Sequence, residues 1–141
     1  SKHRAKIKRI KKANENLIAF RATSLLNAAY ARAKKKDIPF SLTQEWLEEK
    51  LRQGRCEATG LTFVFTLYGG NTSKEGKYTT NPNAPSLDQI RPSQGYTPDN
   101  VQVVISAFNK FKSDTEQHRL YKISKAFCKQ HMKRRRFRVD H

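Results

Sequence analysis

The sequence predicts an α+β fold, and three observations carry that expectation. The stretch from Ser1 to Lys36 contains neither Pro nor Gly and repeats Ile18, Ala22, Leu25, Ala29 and Ala33 at spacings of three or four, the period of one helical face. Two short runs rich in apolar and β-branched residues, Ser86–Ile90 and Val101–Ile105, flank a segment in which Pro92, Gly95 and Pro98 oppose regular structure, as in a hairpin with a broad loop. From about Ser106 a helical pattern resumes through Phe108, Phe111, Leu120, Ile123 and Phe127.

Taken in order, the first helix opens on SKHRAKIKRIKK, where Lys2, Arg4, Lys6, Lys8, Arg9, Lys11 and Lys12 accompany only two isoleucines, too few to bury a face. This part is expected to protrude and lie against phosphates; a merely solvated charge run is the plain alternative. Asp37-Ile38-Pro39 breaks the helix. Thr43 then stands as an N-cap, with Glu45 in the first turn, an apolar stripe of Trp46, Leu47 and Leu51, and Gly54 as the stop. Phe63–Leu67 is β-branched and aromatic enough to be a strand, and Gly69–Pro85 reads as a long loop. Ser113-Asp114 is the expected interruption of the last helix, which ends in the basic run Lys133, Arg134, Arg135, Arg136, Phe137, Arg138. No internal repeat is visible.

At 141 residues the chain has room for one compact domain plus appendages, and with 36% hydrophobic residues its core must be modest. Lys and Arg number 29 against 12 Asp and Glu, a formal charge of +17 that points to a polyanionic partner, with nucleic acid in first place. The sequence shows no run of about 18 apolar residues and no signal-peptide core, so neither a membrane partner nor export is expected, and the expected setting is cytoplasmic. Cys56 and Cys128 have no Cys or His at close ligand spacing, which argues against structural zinc and reads as two reduced thiols.

The segment from Leu87 to Lys112, LDQIRPSQGYTPDNVQVVISAFNKFK, resembles the HNH, or ββα-metal, nuclease finger of phage and homing endonucleases. The family's Asp-His-Ile and following Pro match Asp88-Gln89-Ile90-Arg91-Pro92. Its middle Asn matches Asn100, and its closing His/Asn-x-x-Lys matches Asn109-Lys110-Phe111-Lys112. The resemblance extends upstream to a Trp-Leu helix at Glu45–Leu51 and a Cys-x-x-Thr-Gly turn at Cys56–Gly60, so that Leu42 to Asp114 are covered. It implies a nuclease domain, placed at 41–127 with its finger at 86–112, and with the charge pattern this gives an α+β arrangement in which a basic helical arm at 1–40 precedes the domain and a basic tail at 128–141 follows it.

The resemblance further implies metal-dependent cleavage or nicking of duplex DNA in a bacterial or phage-infected cell, with one divalent cation, Mg²⁺ or Mn²⁺, and no small-molecule cofactor. Phosphodiester hydrolysis needs a nucleophilic water, neutralisation of charge on phosphorus and stabilisation of the leaving oxygen. A hard cation that takes one or two oxygens from protein suits Asp88 and the Asn109 carbonyl. Asn100 would prop the loop that aims the base, and Lys112 would hold a phosphate. Arg91, Lys110 and Lys112 in the finger, Lys2 to Lys12 in the arm, and Lys133, Arg134, Arg135 and Arg136 in the tail are the expected DNA contacts.

Position 89 departs from the pattern, because a glutamine amide cannot accept a proton near neutral pH. Three readings stay open: a His-to-Gln variant that traps a DNA complex, a natural member whose base comes from elsewhere, and a degenerate finger that binds without cutting. Substitute bases are few, namely His3, His118, His131, His141 and the loop tyrosine Tyr96. From other function classes, a non-catalytic DNA-binding protein and a basic RNA-binding protein remain as rivals. The sequence leaves the oligomeric state undetermined.

Overall fold

A computed structural model of the protein describes residues 1–65 and 81–139, the last three by backbone alone. It comprises two compact units, Ser1–Phe111 and Lys112–His141. In the first unit, helix α1 spans Lys2–Lys36 and helix α2 Gln44–Gln53. Strand β1, Pro85–Gln89, pairs antiparallel with strand β2, Val101–Ile105, and helix α3 follows at once over Ser106–Lys112. The second unit carries helix α4, Gln117–Val139.

The apolar stripe of α1 behaves as its spacing requires. Ile18, Ala22, Ala29 and Ala33 are buried and Leu25 packs at the edge of the core, whereas positions 1–17 are exposed throughout. The buried alanines let the helix approach α2 closely, and Gln44 Nε2 donates to the Ala19 carbonyl at 3.1 Å across that contact. α1 ends where Asp37 adopts the left-handed conformation, φ 54°, so that its N–H and that of Ile38 close on the carbonyls of Lys34 and Ala33. Thr43 caps α2 by accepting from the Trp46 amide at 3.1 Å, and left-handed Gly54 closes it.

Leu47, Leu51, Cys56 and Phe63 meet Leu87, Val101, Val103 and Ile105 of the hairpin in one core with α1. Three sequence expectations need correction. The strand proposed for Phe63–Leu67 does not form over its described residues 63–65. The Phe63 and Val64 amides donate to the separate carbonyls of Gly54 and Asn83, both at 2.9 Å, and the pairing beside them is a single bridge between Arg55 and Thr62, so a buried Phe63 sits outside any strand ladder. Thr66 and Leu67, like the Gly69–Pro85 loop through residue 80, lie outside the described residues.

β1 runs Pro85–Gln89 rather than Ser86–Ile90. Pro85, which lacks an N–H, is tolerated as the first strand residue, and Ile90 already donates its amide to the Asn100 carbonyl in the loop. The loop itself is not wholly irregular, since Pro92–Gln94 forms one 3-10 turn with Pro at its start.

The expected break after α3 is present, with Ser113 at φ 47° and the Thr115 amide donating to the Lys112 carbonyl. On α4 Tyr121 and Phe127 are exposed, and the helix runs through the whole basic segment Lys133–Arg136. No helix among the described residues is long and apolar enough to cross a membrane.

Candidate active site

Antiparallel register sets Asp88 opposite Gln102, on the same face of the hairpin. The Asp88 carboxylate is buried, 4% exposed, and its Oδ2 accepts from Gln102 Nε2 at 2.7 Å, a short charge-assisted bond. Asn109 lies one turn into α3, where its Nδ2 donates to Ser86 Oγ at 2.7 Å and to the Leu87 carbonyl at 3.1 Å. A backbone carbonyl can only accept, so the contact with Leu87 fixes which end of the Asn109 amide is nitrogen and leaves Oδ1 as the end not engaged by these two bonds. One strand thus carries the carboxylate and anchors the amide of the second candidate ligand.

Asn100 is buried at the point where the loop re-enters the sheet, and its amide is used three ways. Oδ1 accepts from the Arg91 amide at 3.0 Å, while Nδ2 donates to the carbonyls of Arg91 at 2.9 Å and Gly95 at 2.7 Å. The loop is also sewn to the segment between α1 and α2. Tyr96 donates its amide to the Pro39 carbonyl at 2.8 Å and accepts from the Ser41 amide at 2.9 Å, and its hydroxyl accepts from Arg32 Nε of α1 at 3.0 Å. Gly95 sits at φ 82°, ψ −167°, a region open essentially to glycine, and a Cβ there would strike the Pro39 carbonyl oxygen.

Gln89 is paired in register with Val101 and its side-chain oxygen is shielded from solvent. The Tyr96 ring is buried against Phe40, and its hydroxyl is the acceptor for Arg32. His3, His118 and His131 are exposed on helices, the latter two stacked on Tyr121 and Phe127, and His141 lies outside the described residues. Lys112, the last residue of α3 and first of the second unit, is 1% exposed. Arg91 and Lys110 are exposed on the finger, as are Lys2 to Lys12 on α1 and Lys133 to Arg136 on α4.

Among the described residues, two arginines with structural partners have shifted ionisation. Burial lowers the Arg21 pKa where Nη2 donates to the Phe65 carbonyl at 3.3 Å, and a hydrogen bond to Glu15 raises that of Arg52, which also meets Glu48 and Glu49.

Sequence reasoning missed four supporting residues. Gln102 and Ser86 hold Asp88 and Asn109, Arg32 holds Tyr96, and Glu57 completes the outer edge of β2. The Glu57 amide donates to the Val103 carbonyl and its Oε1 accepts from the Val103 amide, both at 2.9 Å, like a partner strand one residue long. Of these only Gln102 left a usable trace: pairing the two strand runs end to end sets it opposite Asp88.

Among the described residues no group of three or more His, Cys, Asp and Glu side chains is placed to hold a metal. A carboxylate and an amide carbonyl are nevertheless hard oxygen donors of the number that Mg²⁺ or Mn²⁺ takes from protein, and they do not suit zinc, which prefers nitrogen and sulfur. No family model and no curated protein matches the chain. Among solved structures it is similar to the rare-cutting HNH restriction endonuclease PacI, with a TM-score of 0.51, 16% identity and 80% of each chain covered. At that identity the likeness is one of fold, and the fold is α+β and HNH-like.

Proposed function

We propose that this protein is a DNA endonuclease of the HNH type, dependent on one divalent cation, with the β1–β2–α3 element as its catalytic finger. The observation that carries this reading is the pairing of a buried carboxylate, Asp88, with an Asn109 amide whose nitrogen is tied back to the hairpin. The fold shared with an enzyme described as an HNH restriction endonuclease supports it.

Asp88 and the Asn109 carbonyl are the residues that would hold Mg²⁺ or Mn²⁺. When bound, such an ion supplies charge neutralisation at the phosphate and at the leaving oxygen. Asn100 keeps the loop after β1 at a fixed distance from β2, and exposed Arg91 and Lys110 meet phosphates beside the finger. The basic arm Lys2–Lys12 and the run Lys133–Arg136 contact the DNA backbone without reading sequence. Duplex DNA is the partner proposed on the strength of the +17 charge.

The glutamine at position 89 supports a second reading, a finger of this fold that binds DNA without cutting it. Nicking of supercoiled plasmid in Mg²⁺ or Mn²⁺, with this chain beside its Gln89→His form, separates the two. Under the nuclease reading the histidine form cuts faster by about 10²- to 10⁴-fold, the usual contribution of a general base. Its rate climbs through roughly pH 6 to 7 as the imidazole loses its proton. A Gln89 chain as fast as the histidine form removes position 89 from the base role. Two forms that bind duplex DNA and cut in neither metal leave the binding reading standing.

A further inference from the structure

We infer that Gln102 is the positioning residue of the cation site, acting through the carboxylate of Asp88, with Ser86 in the lesser role of anchoring Asn109; the inference rests on the nuclease reading above. Three features carry it. Asp88 and Gln102 are direct cross-strand partners, so their side chains leave the hairpin on one face, and backbone pairing fixes their separation. The bond from Gln102 Nε2 to Asp88 Oδ2 is 2.7 Å, at the short end for a nitrogen donor to a carboxylate. The acceptor is buried, so the bond fixes the carboxylate plane in a place where water does not compete freely for it.

The chemistry of the donor matters as much as its position. An amide donates without carrying charge, so Gln102 orients Asp88 without adding a positive charge of its own, as a lysine or arginine in the same place would. The same device recurs at Asn109 of α3, whose nitrogen is held by the neutral Ser86 hydroxyl and the Leu87 carbonyl, so that the oxygen is the end these bonds leave for a ligand role. Partners of this kind commonly govern metal affinity as strongly as 10- to 100-fold per residue.

The test is titration of the full chain with Mn²⁺ alone, by calorimetry and by electron paramagnetic resonance, for the unsubstituted protein, Asp88→Ala, Gln102→Ala and Gln102→Met. Methionine keeps the length and volume of glutamine and offers no donor. Thermal unfolding in EDTA and metal-free DNA affinity are measured alongside. The expected result is loss of Mn²⁺ binding in Asp88→Ala and weakening by roughly 10- to 100-fold in both Gln102 variants. Gln102→Met unfolds at a somewhat lower temperature, because a buried carboxylate loses its donor, but it is fully folded at the titration temperature and keeps its metal-free DNA binding, so the weaker Mn²⁺ binding is confined to the cation site.

Gln102→Met binding Mn²⁺ as tightly as the unsubstituted chain overturns the inference and leaves the nuclease reading intact. The same holds if its weaker binding comes with an equal loss of fold. Absence of Asp88-dependent binding in the unsubstituted chain overturns both.

Discussion

Replacing Asn100 with alanine tests whether one buried amide holds the finger loop. The substitution removes three hydrogen bonds, to the Arg91 amide, the Arg91 carbonyl and the Gly95 carbonyl, at distances of 2.7 to 3.0 Å. Each bond contributes about 1 kcal/mol net, so the expected loss for three is about 3 kcal/mol, within roughly 2 to 4. Against a total stability of about 5–15 kcal/mol this is a large fraction. With a urea dependence of about 1.5 kcal/mol per molar, the midpoint falls by about 2 M. The chain's one tryptophan, Trp46 on α2, packs against the same core as the hairpin and reports its unfolding by fluorescence. Asn100→Asp should be no milder. Its carboxylate keeps the acceptor for Arg91 but turns an oxygen toward two carbonyls that need donors. A loss below about 1 kcal/mol for alanine, or near-full stability for aspartate, refutes the reasoning, since both outcomes need a loop held by something other than this amide.

Gly95→Ala should cost at least about 2 kcal/mol, because the residue must hold a conformation reserved to glycine and its new methyl meets Pro39; an unchanged urea midpoint would show that the loop does not press on Pro39. Deleting residues 1–12 should flatten the salt dependence of duplex DNA binding, by roughly 0.9 in logarithmic slope for each phosphate the arm neutralises; a slope that stays the same means the arm is only solvated.

The parts of the fold legible in the sequence are those governed by short-range periodicity. The stripe Ile18, Ala22, Ala29, Ala33 marked which face of α1 is buried, and Thr43 and Gly54 marked both ends of α2. Phe63–Phe65 misled because strand propensity records a preference for a pleated, half-buried place and not the existence of a partner; the neighbouring acceptors are loop carbonyls. The site divides the same way. Asp88, Asn100 and Asn109 stood out through a resemblance to a known finger. The residues that aim them were hidden, because Gln102 acts across a strand pair, Ser86 across a strand–helix contact, and Arg32 from a helix sixty-four positions before its tyrosine. Such contacts depend on register and close packing, which no local pattern encodes.

The arrangement of α1 ties these supports to the proposed DNA contacts. Its first buried residue is Ile18, so the sixteen helical residues before it, Lys2 to Leu17, extend the core-anchored part of the same helix. At about 1.5 Å per residue that is about 24 Å, the length of roughly seven base pairs of duplex. Within this arm Lys2 and Lys6, Arg4 and Lys8, and Lys8 and Lys12 stand four residues apart, where like charges weaken a helix by a few tenths of a kcal/mol per pair. Phosphates along a duplex would relieve that repulsion, so the proposed DNA contact and the helicity of the arm would favour each other. The opposite end of α1 carries Arg32, whose bond to Tyr96 reaches the loop next to Asn100. A continuous helix anchored in the core therefore gives phosphate contacts at the arm a defined direction relative to the finger, which a flexible basic tail of equal charge would not.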